Sequence, residues 1–362
     1  MMKVGIMSMQ RIVNYGSFLQ AFALKNIIED LGHKTVFVDY RVEPPLIHDP
    51  SLIKNGNKGN LIFWLKCVAK KCMGVPFDST YIHKMSLLKL GITETMHYQT
   101  DVDVLVIGSD EVFNCLQANP DVGYSLELFG KNNRAKRLIS YAASFGHTTF
   151  EGLEQFGKYD EIKDLINRFD SVSVRDANSL ELVRRMGIEN AELHFDPVLV
   201  YDFSEKVIEK KDISDYVLVY SYAGRIKAPE EIKAIRSFAE KHGKKTVSIG
   251  NHQEWTDIKL QANAFELLGY IKNADYVVTD TFHGTVFSII MKKNFATMIR
   301  GSNRQKLTAL LDMLCLSSRN AADISGLEAI LQIPVDYEKT DAVIEREKKH
   351  TVDYLTENLR ID

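Results

Sequence analysis

Cysteine is scarce in this chain, with four in 362 residues, at positions 67, 72, 115 and 315 and never as a CxxC pair. That excludes a thiolate zinc cage and a disulfide framework, and it fits a reduced cytoplasm. Long apolar runs are also missing. Nothing approaches the ~18 apolar residues of a spanning helix, and Met1-Met2-Lys3 leads only into Val4 to Met7, too short for a signal-peptide core. The expectation is a cytoplasmic protein with at most peripheral contact at the inner face of a membrane. Positive charge shows no excess either: the formal net charge is −3, so no electrostatic field draws the chain to nucleic acid. There is no GxGxxG, no P-loop lysine, no internal repeat and no low-complexity tract, so a dinucleotide or Walker site is unsupported.

What is present is ordinary globular composition, 45% hydrophobic and 26% charged. At 362 residues the chain exceeds what one core organises, and two domains are the default. Lys3 to Met7 reads as a buried strand and Phe18 to Leu31 as a helix that Ser17 would cap, ended by Gly32. Thr35 to Val38 is a second strand. Strands follow at Val104 to Gly108, Leu138 to Ala142, Ser171 to Val174 and Glu192 to Phe195, with a helix at Ala177 to Met186. Residues 41–100, with Pro44-Pro45 and a glycine- and asparagine-rich stretch, read as a helical insertion. Phe203 to Asp215 has linker character. Alternation then restarts: Tyr216 to Ser221, Thr246 to Ile249, Tyr276 to Thr279 and Phe295 to Ile299 as strands, Pro229 to His242, Ala264 to Asn273, Gly284 to Met291 and Arg304 to Leu314 as helices. The pattern predicts an α/β fold of two Rossmann-like domains facing a cleft. The first would be 1–203, the second 204–334, and 335–362 a charged helical tail.

In such sheets ligands sit outside the carboxyl ends of the strands. Asp280-Thr281-Phe282-His283-Gly284-Thr285 lies there, at a strand-to-helix turn whose amides can hold an anion. His283 could serve as a cation or as a proton carrier, or cap local structure. Asp280 could orient that imidazole or cap the helix. Arg175, after the strand ending at Val174, could clamp a carboxylate bidentately or pair with Asp176 on the surface. Ser109, Asp110 and Glu111 follow another strand, where Asp110 could act as a base or as a helix-capping acid. Asn14, Gly16 and Ser17 form a comparable loop.

Taken in order, Asn14-Tyr15-Gly16-Ser17-Phe18-Leu19-Gln20, Gly108 to Asn114, Ser173-Val174-Arg175-Asp176, Asp196-Pro197 and Thr279 to Ser288 resemble the polysaccharide pyruvyl transferase family. The resemblance spans nearly the whole chain, and Phe282 to Ser288 is its sharpest piece. It implies a fold like that of two-domain GT-B glycosyltransferases, with pyruvate moved from phosphoenolpyruvate onto two hydroxyls of a glycan-precursor sugar as a cyclic ketal. No metal or redox cofactor is implied. The donor would meet Arg175, His283, Gly284 and Thr285. His283, Asp280 and Asp110 would carry the chemistry, and Asn14, Gly16, Ser17, Gln20, Ser109, Asp110 and Asn114 would receive a lipid-linked or nucleotide-linked sugar. Some members carry arginine-leucine before the histidine where this chain has Thr281-Phe282, which leaves Arg225, Arg300 or Arg304 to supply a second cation.

A nucleotide-sugar glycosyltransferase is the nearest rival, because fold does not fix function. A catalytically silent module that binds a glycan or lipid carrier is another. Leu61 to Met73 mixes an apolar face with Lys66, Lys70 and Lys71, which suits packing on the protein or lying on an anionic membrane.

Overall fold

The computed structural model describes residues 1–47 and 79–360. The stretch Leu61 to Met73, and with it most of the expected insertion, lies outside them. The chain divides into two compact units. The described part of the first comprises 1–47, His83–Tyr201 and 347–360; that of the second comprises 79–82 and Asp202–Arg346.

The first unit is a six-stranded sheet, β1 Lys3–Met7, β2 Lys34–Phe37, β3 Val104–Asp110, β4 Arg137–Ala143, β5 Ser173–Val174 and β6 Glu192–Leu193, in the order β2-β1-β3-β4-β5-β6. Every pairing is parallel. Parallel strands are covered on both faces and so read as continuous apolar runs, and β3 is buried at all seven positions. Strand order reverses between β1 and β3. That is the switch point of a doubly wound sheet, where the strand ends splay and leave a crevice. Below it, Phe113 stacks on Phe129 at 4.9 Å and meets Phe145 at 5.2 Å, each fully buried ring contributing about 1.5–3 kcal/mol.

The second unit carries β7 Tyr216–Tyr220, β8 Lys245–Ile249, β9 Ile258–Leu260, β10 Tyr276–Thr279 and β11 Asn294–Thr297, again all parallel, in the order β11-β10-β7-β8-β9. Here the reversal lies between β7 and β10. Both sheets are therefore Rossmann-like, each with one switch point.

Several boundaries differ from the sequence reading. Asn14, not Ser17, caps the first helix, Tyr15–Asp30, by accepting from the Gly16 amide at 2.7 Å. Asn14 has extended backbone, as a cap requires, and Ser17 lies a full turn inside. β3 runs on to Asp110, so that residue ends a strand and caps no helix. β9, a short strand of partly exposed residues, has too little apolar pattern to be seen in sequence. Residues 335–362 are more than a tail. Their helix, Glu338–Asn358, buries Thr351, Tyr354, Leu355 and Asn358. Its half from Glu347 belongs to the first unit, where the Tyr354 hydroxyl donates to Ser140 O at 2.8 Å. Among the described residues no helix is long and apolar enough to cross a membrane.

Candidate active site at two switch points

At the switch point of the second unit, three neighbouring strand ends converge on Asp280. Helix Phe282–Ile290 begins there with Thr281 as its cap, accepting from the Gly284 amide at 2.9 Å. Asp280 is therefore not the cap. Its buried carboxylate, 0% exposed, accepts from Ser221 Oγ at 2.6 Å after β7 and from Arg300 Nε at 3.2 Å after β11. Arg225 Nε lies 3.2 Å from the same oxygen as Arg300. Asn303 Nδ2 donates to Asp280 O at 2.7 Å, and Asn303 Oδ1 accepts from the Arg300 amide. The loops after β10 and β11 are thus tied together around one carboxylate.

Arg300 also pairs with Glu231. Desolvation works against its charge, but Glu231 and Asp280 outweigh it and raise its pKa, so it is a permanent cation. His283 stacks on Phe287 and meets Phe282 edge-on, while Lys306 lies 5.2 Å above the Phe282 ring. Gly284 has a packing reason. A Cβ there would lie 2.1 Å from Thr279 Oγ1 and 2.6 Å from Tyr220 Cδ1, so only glycine lets the helix start this close to β10 and β7.

In the first unit Arg175, just after β5, is no surface arginine, and its ion pairs are with carboxylates beyond its neighbour Asp176. Asp176 caps the helix Ala177–Arg185, accepting from the Ser179 amide at 2.8 Å. The Arg175 guanidinium instead lies between Asp196 (2.5 Å) and Asp110 (3.2 Å), with side chains 2%, 0% and 9% exposed. Burial alone would lower its pKa, but the two carboxylates reverse that and raise it. Asp110 also accepts from Ser17 Oγ at 2.7 Å and from the Glu111 amide. Its φ of 77° is left-handed, a conformation rare outside glycine.

The remaining candidates separate by burial. Ser109 and Gln20 are both 0% exposed. Ser109 Oγ donates to Gln20 Oε1 at 2.5 Å, and Gln20 Nε2 donates to Ser8 Oγ and Ser17 O. These two lock β1, β3 and the first helix together, their side chains bonded to the protein's own groups. Asn114 donates to Glu111 Oε2 and accepts from Thr148 Oγ1, holding the loop after β3. Gly16 is a buried backbone position in the first helix, beside the half-buried cap Asn14. A cavity of about 590 Å³ in the same unit, bordered by Asp39, Arg41, Tyr98, Glu127 and Arg134, includes none of the candidate residues.

Sequence reading missed Ser221, Glu231 and Asn303. Ser221 and Asn303 lie in the loops just after β7 and β11, so the strand-end rule that nominated Asp280 would have found them had it been applied to the neighbouring strands. Glu231, on the helix Pro229–Lys241, carries no such signal.

Two parallel α/β domains with polar constellations at their switch points define a protein of the GT-B class. Among solved structures, Arabidopsis thaliana UGT89C1 complexed with quercetin matches at TM-score 0.51 and 11% identity over 98% of both chains. The Streptomyces sp. SF2575 glycosyltransferase SsfS6 matches at 0.45 and 11%, covering 98% of this chain and 99% of that one. Methanocaldococcus jannaschii UDP-GlcNAc 2-epimerase, in complex with UDP-GlcNAc and UDP, matches at 0.45 and 13%, covering 95% and 99%. At 11% identity the likeness to UGT89C1 is one of fold. No curated protein sequence matches significantly. The family described as polysaccharide pyruvyl transferase matches residues 14–302, and the chain belongs to that family of transferases.

Proposed function

We propose that the protein transfers pyruvate from phosphoenolpyruvate onto two hydroxyls of a glycan-precursor sugar, forming a cyclic ketal and releasing phosphate. The observation that carries this reading, beside family membership, is the cluster of partly exposed cations at the second switch point. Arg225 and Arg300 keep 27% and 24% of their side chains exposed, and His283 stands at a helix entrance beside them. A donor with a phosphate and a carboxylate needs several cations, and a helix N-terminus adds its own partial charge.

In the proposed reaction a proton is delivered to the methylene carbon of the donor, and the adjacent carbon becomes electrophilic. One sugar hydroxyl adds there and gives up its proton. The bridging C–O bond then breaks, its electron pair leaving with phosphate, and the second hydroxyl closes the ketal and loses its proton. His283 is the candidate acid for carbon or leaving phosphate. Gly284 and Thr285, in the first turn of its helix, are buried, with their amides bonded to Thr281 Oγ1 and Thr281 O, so their part on the donor side is to fix the helix entrance. Asp280 acts one step removed, fixing where Arg225 and Arg300 point.

At the first switch point Arg175 has two carboxylates of its own. It fits the role of positioning residue for Asp110 and the loop after β3 better than that of donor clamp. The acceptor is assigned to the rim formed by Asn14, Gly16, Ser17, Asp110 and Asn114, with Asp110 the candidate base.

The test is incubation with phosphoenolpyruvate and a panel of lipid-linked and nucleotide-linked sugars. Phosphate release with a matching mass gain of one pyruvyl ketal is expected. Release of a nucleoside diphosphate from a nucleotide sugar would replace this reading by glycosyl transfer, and acceptor binding without turnover would make the chain a glycan-binding protein.

A further inference from the structure

Away from both switch points, Glu192 and His194 occupy alternate positions on and just after β6, and so share a face. Backbone bonds fix their register: the Glu192 amide donates to Val172 O at 3.0 Å and the His194 amide to Val174 O at 2.9 Å. Against that face lies the second half of the helix Glu338–Asn358, presenting Glu347, His350, Thr351 and Tyr354 at helical spacing. Thr351 Oγ1 is 2.9 Å from the Tyr141 hydroxyl, which holds the helix in place.

Among the described residues, Glu192, His194 and His350 are the group whose ligand atoms, one from each, all lie within 4.8 Å of one another. The His350 ring stacks on His194 at 4.1 Å, and His350 Nε2 is 3.0 Å from Glu192 Oε2. His194 is 1% exposed. Its Nδ1 lies 2.9 Å from Ser173 Oγ, and its buried Nε2 makes no hydrogen bond. Leaving a polar nitrogen unmatched in a dry site is costly, and native proteins seldom do so without a reason. Ser173 Oγ accepts from the Ala142 amide at 3.1 Å; when it also accepts from His194 Nδ1, Nε2 carries a bare lone pair, the form in which histidine binds a metal, and the ion would select that tautomer.

The geometry points to a structural divalent transition-metal site, of the zinc class, formed by Glu192 Oε, His194 Nε2 and His350 Nε2. Two imidazoles and one carboxylate suit zinc, which takes nitrogen and oxygen at about 2.0–2.2 Å and so needs ligand atoms about 3.3 Å apart, with water as a fourth ligand. The Glu192 and His350 side chains, 43% and 41% exposed, have room to move, and on binding the His350 ring must turn out of its stack on the rigid His194 so that its in-plane lone pair meets the ion. Glu347 Oε2, 3.4 Å from His350 Nδ1, would receive the proton of that second nitrogen and orient the ring, as outer carboxylates do at metal sites. The ion would fasten the last helix to the β6 edge of the first sheet.

The test uses the full chain, freed of metal by a chelator, and zinc alone as the probe. Competition against a chromophoric chelator should show one tightly bound equivalent, and the thermal midpoint should rise with zinc. His350→Ala and Glu192→Gln change partly exposed side chains and should leave the protein folded. Each should weaken zinc binding by about tenfold or more and remove the thermal shift. Absence of a bound equivalent, or equal affinity in His350→Ala and the parent, overturns the site.

Discussion

At the first switch point one guanidinium lies between two carboxylates, with side chains no more than 9% exposed. At the second, two guanidinia share one fully buried carboxylate and keep about a quarter of their own surface open. The residue types are the same and the arrangement is opposite. In the first unit the acids outnumber the cation and enclose it, which is why Arg175 is proposed as a positioning residue. In the second the acids equal the cations: Asp280 is hidden, Glu231 holds Arg300 from one side, and both guanidinia keep part of their surface open. A buried acid that fixes exposed cations is a way of keeping an anion site preorganised before the anion arrives.

The sharpest way to break this comparison is at His283. If the second switch point holds the donor, His283→Ala lowers turnover by about 10²- to 10⁴-fold, the range for a lost general acid, with an unchanged circular dichroism spectrum and melting midpoint. Retained turnover would remove the histidine from the chemistry and with it the functional contrast between the two sites. Arg175→Met tests the other half. Two buried carboxylates would lose their cation, which costs about 3–5 kcal/mol and should appear as a large fall in the urea midpoint. Full stability with a raised KM for phosphoenolpyruvate would instead make Arg175 a ligand residue and erase the distinction drawn from its burial.

Much of this frame was legible in the sequence, because parallel strands declare themselves as β-branched runs such as Val104 to Ile107 and Tyr216 to Tyr220, and because glycine marks helix ends such as Gly32 and Gly187. The turn at Asp280 to Thr285 was legible for the same reason: it follows a strand and opens a helix. What was hidden is how polar residues orient. Nothing local tells that Gln20 and Ser109 turn inward and bond each other, since they are 89 residues apart. Nor does sequence tell that Asp280 faces Arg225 and Arg300. Ser17 was misplaced as a cap because Asn14, three residues earlier, is an equally good one. Only the observed hydrogen bond decides between them. The last helix looked like a tail because its buried side chains, Thr351 and Tyr354, are polar types whose hydroxyls find partners on β4 and nearby.

Smaller changes at the second site sharpen the contrast further. Arg225 is slightly the more exposed of its two cations, 27% against 24%. Arg225→Ala should raise KM for phosphoenolpyruvate about tenfold, equivalent to about 1.4 kcal/mol of lost binding, with stability within about 0.5 kcal/mol of the parent. Thr281→Ala should have the smallest effect, and it separates structure from binding at the turn itself. The threonine hydroxyl accepts from the Gly284 amide, and removing such a cap costs about 1 kcal/mol. Serine keeps the oxygen, so Thr281→Ser should restore the melting midpoint. A drop in turnover beyond what the lost stability explains, uncorrected by serine, would mean that the threonine methyl or the loop around it meets the donor. If turnover follows stability in both variants, Thr281 only holds the helix entrance open, and the cations beside it do the binding.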